Sequence, residues 1–155
     1  MRVAVIMGSA SDWDVMSACC ATLEEFGITY EKKVLSAHRT PGPLADYVAA
    51  APEQGCEIFI AGAGGAAHLP GVIAALTTLP VIGIPVKSKA LNGLDSLLSI
   101  VQMPSGIPVA TMAIDGAKNA ALYAVSILAL NDAGLAARLK EFRKQQSDKV
   151  LQTVL

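Results

Sequence analysis

The chain has 155 residues and a formal net charge of −1. That length suits one domain able to bury a core without disulfides or metals, and the near-neutral balance gives no reason to expect nucleic acid or an anionic membrane surface as a partner. Apolar residues make up 53% of the chain but aromatics only 5%, and 26 residues are alanine. Side chains this small favour close helix-on-sheet packing, and the apolar excess also suggests surface buried between subunits. Cys19, Cys20 and Cys56 fit no zinc or redox spacing. Met1 runs straight into a strand-like segment with no signal peptide, which points to a reduced, cytoplasmic protein. No apolar run approaches the length of a membrane span.

In chain order, Arg2 to Met7 is a short apolar run ending at Gly8 and reads as a buried parallel strand. Ser11 or Asp12 is placed to cap the next helix, in which Trp13, Met16, Cys20 and Leu23 recur at helical spacing until Gly27 stops it. Tyr30 to Leu35 is a second strand. The polar segment Ser36-Ala37-His38-Arg39-Thr40 follows, and then Pro41 and Pro43 suit the first turn of a helix reaching about Ala51. Glu57 to Ala61 is a third strand, cut off by Gly62-Ala63-Gly64-Gly65. A helix is expected from Leu69 to Thr77, a fourth strand from Val81 to Ile84, a short helix from Asn92 to Val101, and a fifth strand from Val109 to Ile114. A helix from about Ala117 to Leu130 completes the alternation. The tail sets Leu135, Leu139, Phe142, Val150 and Leu151 among charges, the pattern of an amphipathic helix over about 133–153. It can pack on its own domain or on a neighbouring chain.

Strands alternating with helices give a doubly wound α/β fold. The expectation is a flavodoxin-like three-layer sandwich: five parallel strands in the order 2-1-3-4-5, helices on both faces, one domain over residues 1–155. Ligands in such sheets bind beyond the carboxyl ends of the strands, near the switch between the first and third. That rule singles out the loops after strands one, two and three.

The first loop, Met7-Gly8-Ser9-Ala10-Ser11-Asp12, combines a sharp turn, two hydroxyls and the amides of a helix start. It is an anion site suited to phosphate, or else a capped turn with no ligand. It matches neither a Walker loop nor G-x-G-x-x-G. Asp12 would repel a phosphate, so a ribose hydroxyl is its more natural partner. In the second loop, Arg39 can fork onto a phosphate, and His38 is of the type that accepts and returns protons near neutrality. The bland alternative is a surface His beside a surface Arg. The third loop, Ala61 to Gly71, has almost no bulk, so a flat ligand could lie against bare backbone. It also holds His68, the only other histidine. No paired carboxylates, Ser-His-Asp order or metal-ligating cluster is apparent. These residues point to a phosphate-bearing ligand, a flat ring and proton transfer by His38, without selecting a reaction.

Together, MGSASDWDVM, SAHRTP, AGAGGAAHLPGVIAA and GIPVKSKALNGLDSLLSIVQMPSGIPVAT resemble the signature segments of the class I N5-carboxyaminoimidazole ribonucleotide mutases, in that family's order from Val3 to about Leu130. The resemblance implies an octameric isomerase of purine (IMP) biosynthesis without metal or organic cofactor, which converts N5-carboxyaminoimidazole ribonucleotide to its 4-carboxy isomer. Carried over by position, it implies that Ser9, Ser11 and Arg39 hold the phosphate and that Asp12 holds the ribose hydroxyls. Ser36, Ala63, Gly64 and Leu69 would frame the imidazole and the migrating carboxylate. His38 would be the proton shuttle, and His68 would line the carboxylate pocket. Lys87 and Lys89 receive no role. Two alternatives stand beside this reading. One is direct carboxylation of aminoimidazole ribonucleotide by carbon dioxide, the class II reaction. The other is a non-catalytic nucleotide-binding module of flavodoxin type.

Overall fold

The computed structural model describes residues 1–154; the last residue of the expected domain, 155, lies outside them. Five parallel strands form one sheet in the order β2-β1-β3-β4-β5, as the alternation of elements implied. The strands are β1 (Val3–Met7), β2 (Tyr30–Val34), β3 (Ile58–Gly64), β4 (Val81–Val86) and β5 (Ala110–Thr111). Between and after them run α1 (Trp13–Glu25), α2 (Pro41–Ala50), α3 (Leu69–Leu76), α4 (Leu94–Val101), α5 (Ala117–Leu128) and α6 (Ala133–Leu151).

Strand periodicity sorts the core into two layers. Val3, Val5 and Met7 of β1 point to one face, where they meet Met16, Cys19 and Leu23 of α1 and Ala120, Ala121 and Ala124 of α5. Ala4 and Ile6 point to the other, against Leu44 and Val48 of α2 and Leu69 and Ile73 of α3. All of these side chains are buried. The edge strand β2 is only half covered, and Lys32 and Lys33 lie over the rings of Trp13 and Tyr47, at 4.5 and 4.7 Å.

Beyond shifts of one or two residues at element ends, three elements depart from the sequence reading. β5 is two residues long, not the expected Val109–Ile114. Met112 N–H donates to the Gly83 carbonyl at 2.9 Å, so the β5-facing side of β4 carries Gly83 and, two residues on, Pro85. Proline has no N–H with which to continue the ladder, and the chain turns away through Asp115. β3 is longer than expected and runs through Ala61-Gly62-Ala63-Gly64, which stays paired to β4 as far as Gly64 opposite Val86. The cap of the first helix also differs. Asp12 stands at the N-cap position of α1 but makes no side-chain bond to that helix. Ser9 caps a 3-10 turn over Ala10–Asp12, and Asp12 folds back on it to close a capping box.

The start of α6 belongs to this fold: Leu135 is buried, and Leu139 and Phe142 pack on the α1/α5 layer. Its end does not, since Val150 and Leu151 are 73% and 80% exposed. Among the described residues, no helix is long and apolar enough to cross a membrane.

Three side chains pack closely around Gly83 in β4. A Cβ there would lie 2.6 Å from Ile100 Cγ2, 2.9 Å from Val109 Cγ1 and 3.2 Å from Pro70 Cβ. Overpacking of this kind costs roughly 1–3 kcal/mol. Gly83→Ala should therefore lower the unfolding free energy by about 1–3 kcal/mol, read as a lower urea midpoint at unchanged m-value. An unchanged midpoint would mean that these three side chains move aside freely.

Candidate active site

Backbone pairing brings the three loops to one place. Met7 sits opposite Val34 on β2 and opposite Gly62 on β3. Two further bonds carry the ladders past the strand ends: Leu35 N–H donates to the Met7 carbonyl at 2.9 Å, and Gly8 N–H donates to the Gly62 carbonyl at 3.2 Å. Gly62 also has a steric role. A Cβ at this position would collide with the Met16 side chain, so its absence makes room for Met16 of α1 against β3.

The first loop is organised by hydrogen bonds. Ser9 N–H donates to Asp12 Oδ2 at 2.9 Å, and Ser11 Oγ donates to Ser9 Oγ at 3.0 Å. Asp12 is 6% exposed. That burial pushes its carboxyl above the usual carboxylate range, against the opposing pull of the Ser9 and Gly8 amides and the Arg39 charge. The second loop is a clasp. Thr40 Oγ1 accepts from Ser36 N–H at 2.8 Å and donates to the Ser36 carbonyl at 3.1 Å. Ser36 Oγ accepts from the backbone N–H of His38 and of Arg39, and from Arg39 Nε, at 3.2–3.3 Å. Arg39 Nη2 then reaches across to the Gly8 carbonyl at 2.7 Å. One arginine thus ties the second loop to the first and keeps its guanidinium beside Ser9 and Ser11.

The third loop is held from below. Ser96 of α4, fully buried, accepts from Gly65 N–H at 2.9 Å and donates to the Val86 carbonyl at 2.6 Å. His68 immediately precedes α3 and makes no side-chain bond to that helix. Its Nδ1 lies 2.9 Å from Nε2 of His38, so the two histidines meet across thirty residues of sequence.

Together these loops enclose a cavity of about 550 Å³, a size usual for a small-molecule site. Its wall includes Ser9, Ser11, Asp12, Ser36, His38, Arg39, Ala63, Gly64 and Leu69, all of them expected site residues. His68 stands apart: it touches His38 but is not on the cavity wall. The sequence reading left out Lys87, Ser88 and Lys89, which line the side opposite the first two loops. Their segment is pinned by Asp115 Oδ1, which accepts from Lys87 N–H at 2.8 Å, and by Asp95 Oδ1, which accepts from Ser88 Oγ at 2.6 Å. The only available signal was position, just past the carboxyl end of a central strand. Among the described residues, no group of three or more His, Cys, Asp or Glu is placed to hold a metal ion.

Fold and loops define a doubly wound α/β protein with a cavity beyond the carboxyl ends of its strands. The family model described as AIR carboxylase matches residues 2–149, and the chain belongs to that family. A Pyrococcus abyssi protein named N5-carboxyaminoimidazole ribonucleotide mutase is 62% identical over 143 residues, 92% of this chain and 82% of that one. The Saccharolobus solfataricus protein of the same name is 58% identical over 99% of this chain and 98% of its own. The crystal structure of Treponema denticola PurE superposes with a TM-score of 0.89 at 28% identity, covering 97% of this chain and 94% of that one.

The buried Asp12 carries a pH signature. Its folded-state pKa is raised, so the ionised form costs folding free energy at neutral pH. That cost fades as pH falls through the raised value and is gone below the unfolded pKa, about 3.9. Asp12→Asn keeps an acceptor for Ser9 N–H. It should be more stable than the native chain at pH 7 and lose that advantage by pH 3, as read by urea denaturation. The same difference at both pH values would contradict the desolvation of Asp12.

Proposed function

We propose that the chain is an N5-carboxyaminoimidazole ribonucleotide mutase that yields the 4-carboxy isomer for purine biosynthesis. One observation carries this reading: His38 and Arg39 stand on the wall of one cavity, between the hydroxyls of the first loop and the bare Ala63-Gly64 backbone of the third. The relatives bearing that name support it, since they match over nearly the whole chain. In this reading Ser9, Ser11 and Arg39 hold the 5′-phosphate, and Asp12 accepts from the ribose hydroxyls. Ser36, Ala63, Gly64 and Leu69 frame the ring and the migrating carboxylate.

The reaction needs one proton moved twice. Protonated His38 donates to the carbamate nitrogen as its bond to the carboxyl carbon breaks. This releases carbon dioxide and aminoimidazole ribonucleotide within the cavity. The ring carbon C4 attacks the carbon dioxide and forms the new carbon–carbon bond. His38, now neutral, removes the proton from C4, which restores the aromatic ring and the starting protonation state. Small walls suit so small an intermediate, because close packing leaves no room for water to carry it off.

The reading includes self-association, an octamer by resemblance, in the cytoplasm. The apolar end of α6 and Leu130, 81% exposed, support burial against further copies. The three cysteines, all free and buried, fit a reducing compartment.

An assay with freshly made carbamate substrate tests the proposal, run beside aminoimidazole ribonucleotide at low bicarbonate. The native chain should turn over the first and not the second. His38→Asn should bind ligand and lose about 10²–10⁴-fold in turnover. Preference for the decarboxylated substrate would favour direct carboxylation, and near-native turnover by His38→Asn would remove that residue from the mechanism.

A further inference from the structure

The mechanism above uses His38 and leaves His68 idle, although the structure joins them. Their ring nitrogens are 2.9 Å apart, and the rings meet edge to face at 88° with centroids 5.0 Å apart. A contact this short between two imidazole nitrogens requires one proton between them, because two lone pairs repel and two N–H groups clash. The tautomers are therefore coupled. When His38 is doubly protonated, His68 Nδ1 must be bare and its proton must lie on Nε2. If His38 then releases the proton of its own Nδ1, nothing else in the pair changes. Release of the Nε2 proton would instead pass it along the hydrogen bond to His68 Nδ1 and place the positive charge on that ring.

The surroundings favour His68 as the neutral partner. It sits at the start of α3, where the positive end of the helix dipole opposes a second positive charge. Its segment, Ala61 to Leu76, contains no other ionisable residue. The other charged side chains on the cavity wall are Asp12, Arg39, Lys87 and Lys89.

We propose that His68 is a positioning residue for His38. Its Nδ1 accepts the Nε2–H of His38, orients that ring, and leaves Nδ1 of His38 as the nitrogen that gains and loses the proton. This rests on the mutase reading for its kinetic consequence but not for its structural content. It differs from the role implied by resemblance, in which His68 lines the carboxylate pocket and meets substrate itself.

The chain's two histidines make the test direct, because any His68 variant leaves a single imidazole to observe by ¹⁵N NMR. His68 is exposed, so its replacement leaves the core untouched. In the native chain His38 should show Nε2 protonated and hydrogen-bonded. In His68→Ala its ring shifts should move to those of a free, mixed-tautomer imidazole. Turnover should fall about 10- to 100-fold, the usual scale for removing an orienting partner, with KM nearly unchanged. His68→Asn places an amide oxygen near the Nδ1 position and should recover much of the loss. Unchanged His38 shifts in His68→Ala would overturn the proposal. So would a raised KM at native kcat, the mark of direct substrate contact. If the native chain fails to turn over the carbamate, the functional reading falls, while the NMR comparison still decides whether the rings share a proton.

Discussion

Parallel pairing around β1 is the constraint on which the site depends. A parallel ladder fixes the axial position of each strand relative to its neighbours, because every residue has one partner and a one-residue slip reverses the buried face. Met7 is paired on both sides, to Val34 and to Gly62. The loops leaving β1 and β2 therefore start level, beside the Gly-Ala end of β3. The phosphate-type loop, the His-Arg loop and the Gly-Ala loop are separated by tens of residues in the chain, and the register alone makes them neighbours. Arg39 then fastens the second loop to the first through the Gly8 carbonyl. This cross-link exists only because the strands end together.

Small side chains extend that logic from the sheet to the cavity. Where a wall is made of Ala63 and Gly64, backbone can approach a ligand closely. Such a wall has little side-chain packing to stiffen it, and the stiffness comes from hydroxyls bonded to backbone. Ser36 gathers three donors of the second loop, while Ser96 clamps the third loop to the end of β4. The supporting layer is polar yet satisfied: among the described residues, no buried side-chain nitrogen or oxygen lacks a hydrogen-bond partner. That is the condition under which a polar network orders a site and does not merely weaken a core.

Much of this was legible in the sequence. Buried parallel strands announce themselves as short apolar runs, and Gly or Pro marks their ends, so the strand order and the three-loop cluster followed from general rules. The failures have physical reasons. The expected fifth strand was read from its own apolar residues, but its length is set by Pro85 on the neighbouring strand, which cannot donate. Gly62 and Gly64 suggested a loop because glycine often marks a turn. Here they lie in β3, and Gly62 is needed for the approach of Met16 and not for a left-handed backbone. Ser96 drew no attention on a short helix, since nothing local reveals which hydroxyl faces a strand end. The contact between His38 and His68 was equally hidden. Each histidine was visible in its own loop, but the distance between their nitrogens depends on how both loops fold.

The missed lysines show what such a reading lacks most, the charge balance of a completed cavity. Counted by loop, the first three segments offer Arg39 against Asp12, which is no net charge. Counted around the cavity, Lys87 and Lys89 add two cations on the opposite side. A ribonucleotide bearing a phosphate of charge about −1.5 to −2 and a carboxylate needs counter-charge at both ends. In a partly desolvated cleft the attraction exceeds what the same ions would feel in water. The lysine-bearing segment gains its place from the Lys87 N–H bond to Asp115 and from the Ser88–Asp95 pair, so it does not rely on the lysine side chains for position. Both ammonium groups thus remain available to an anion, and this positive charge comes from a loop whose sequence, taken alone, carries no recognisable binding pattern.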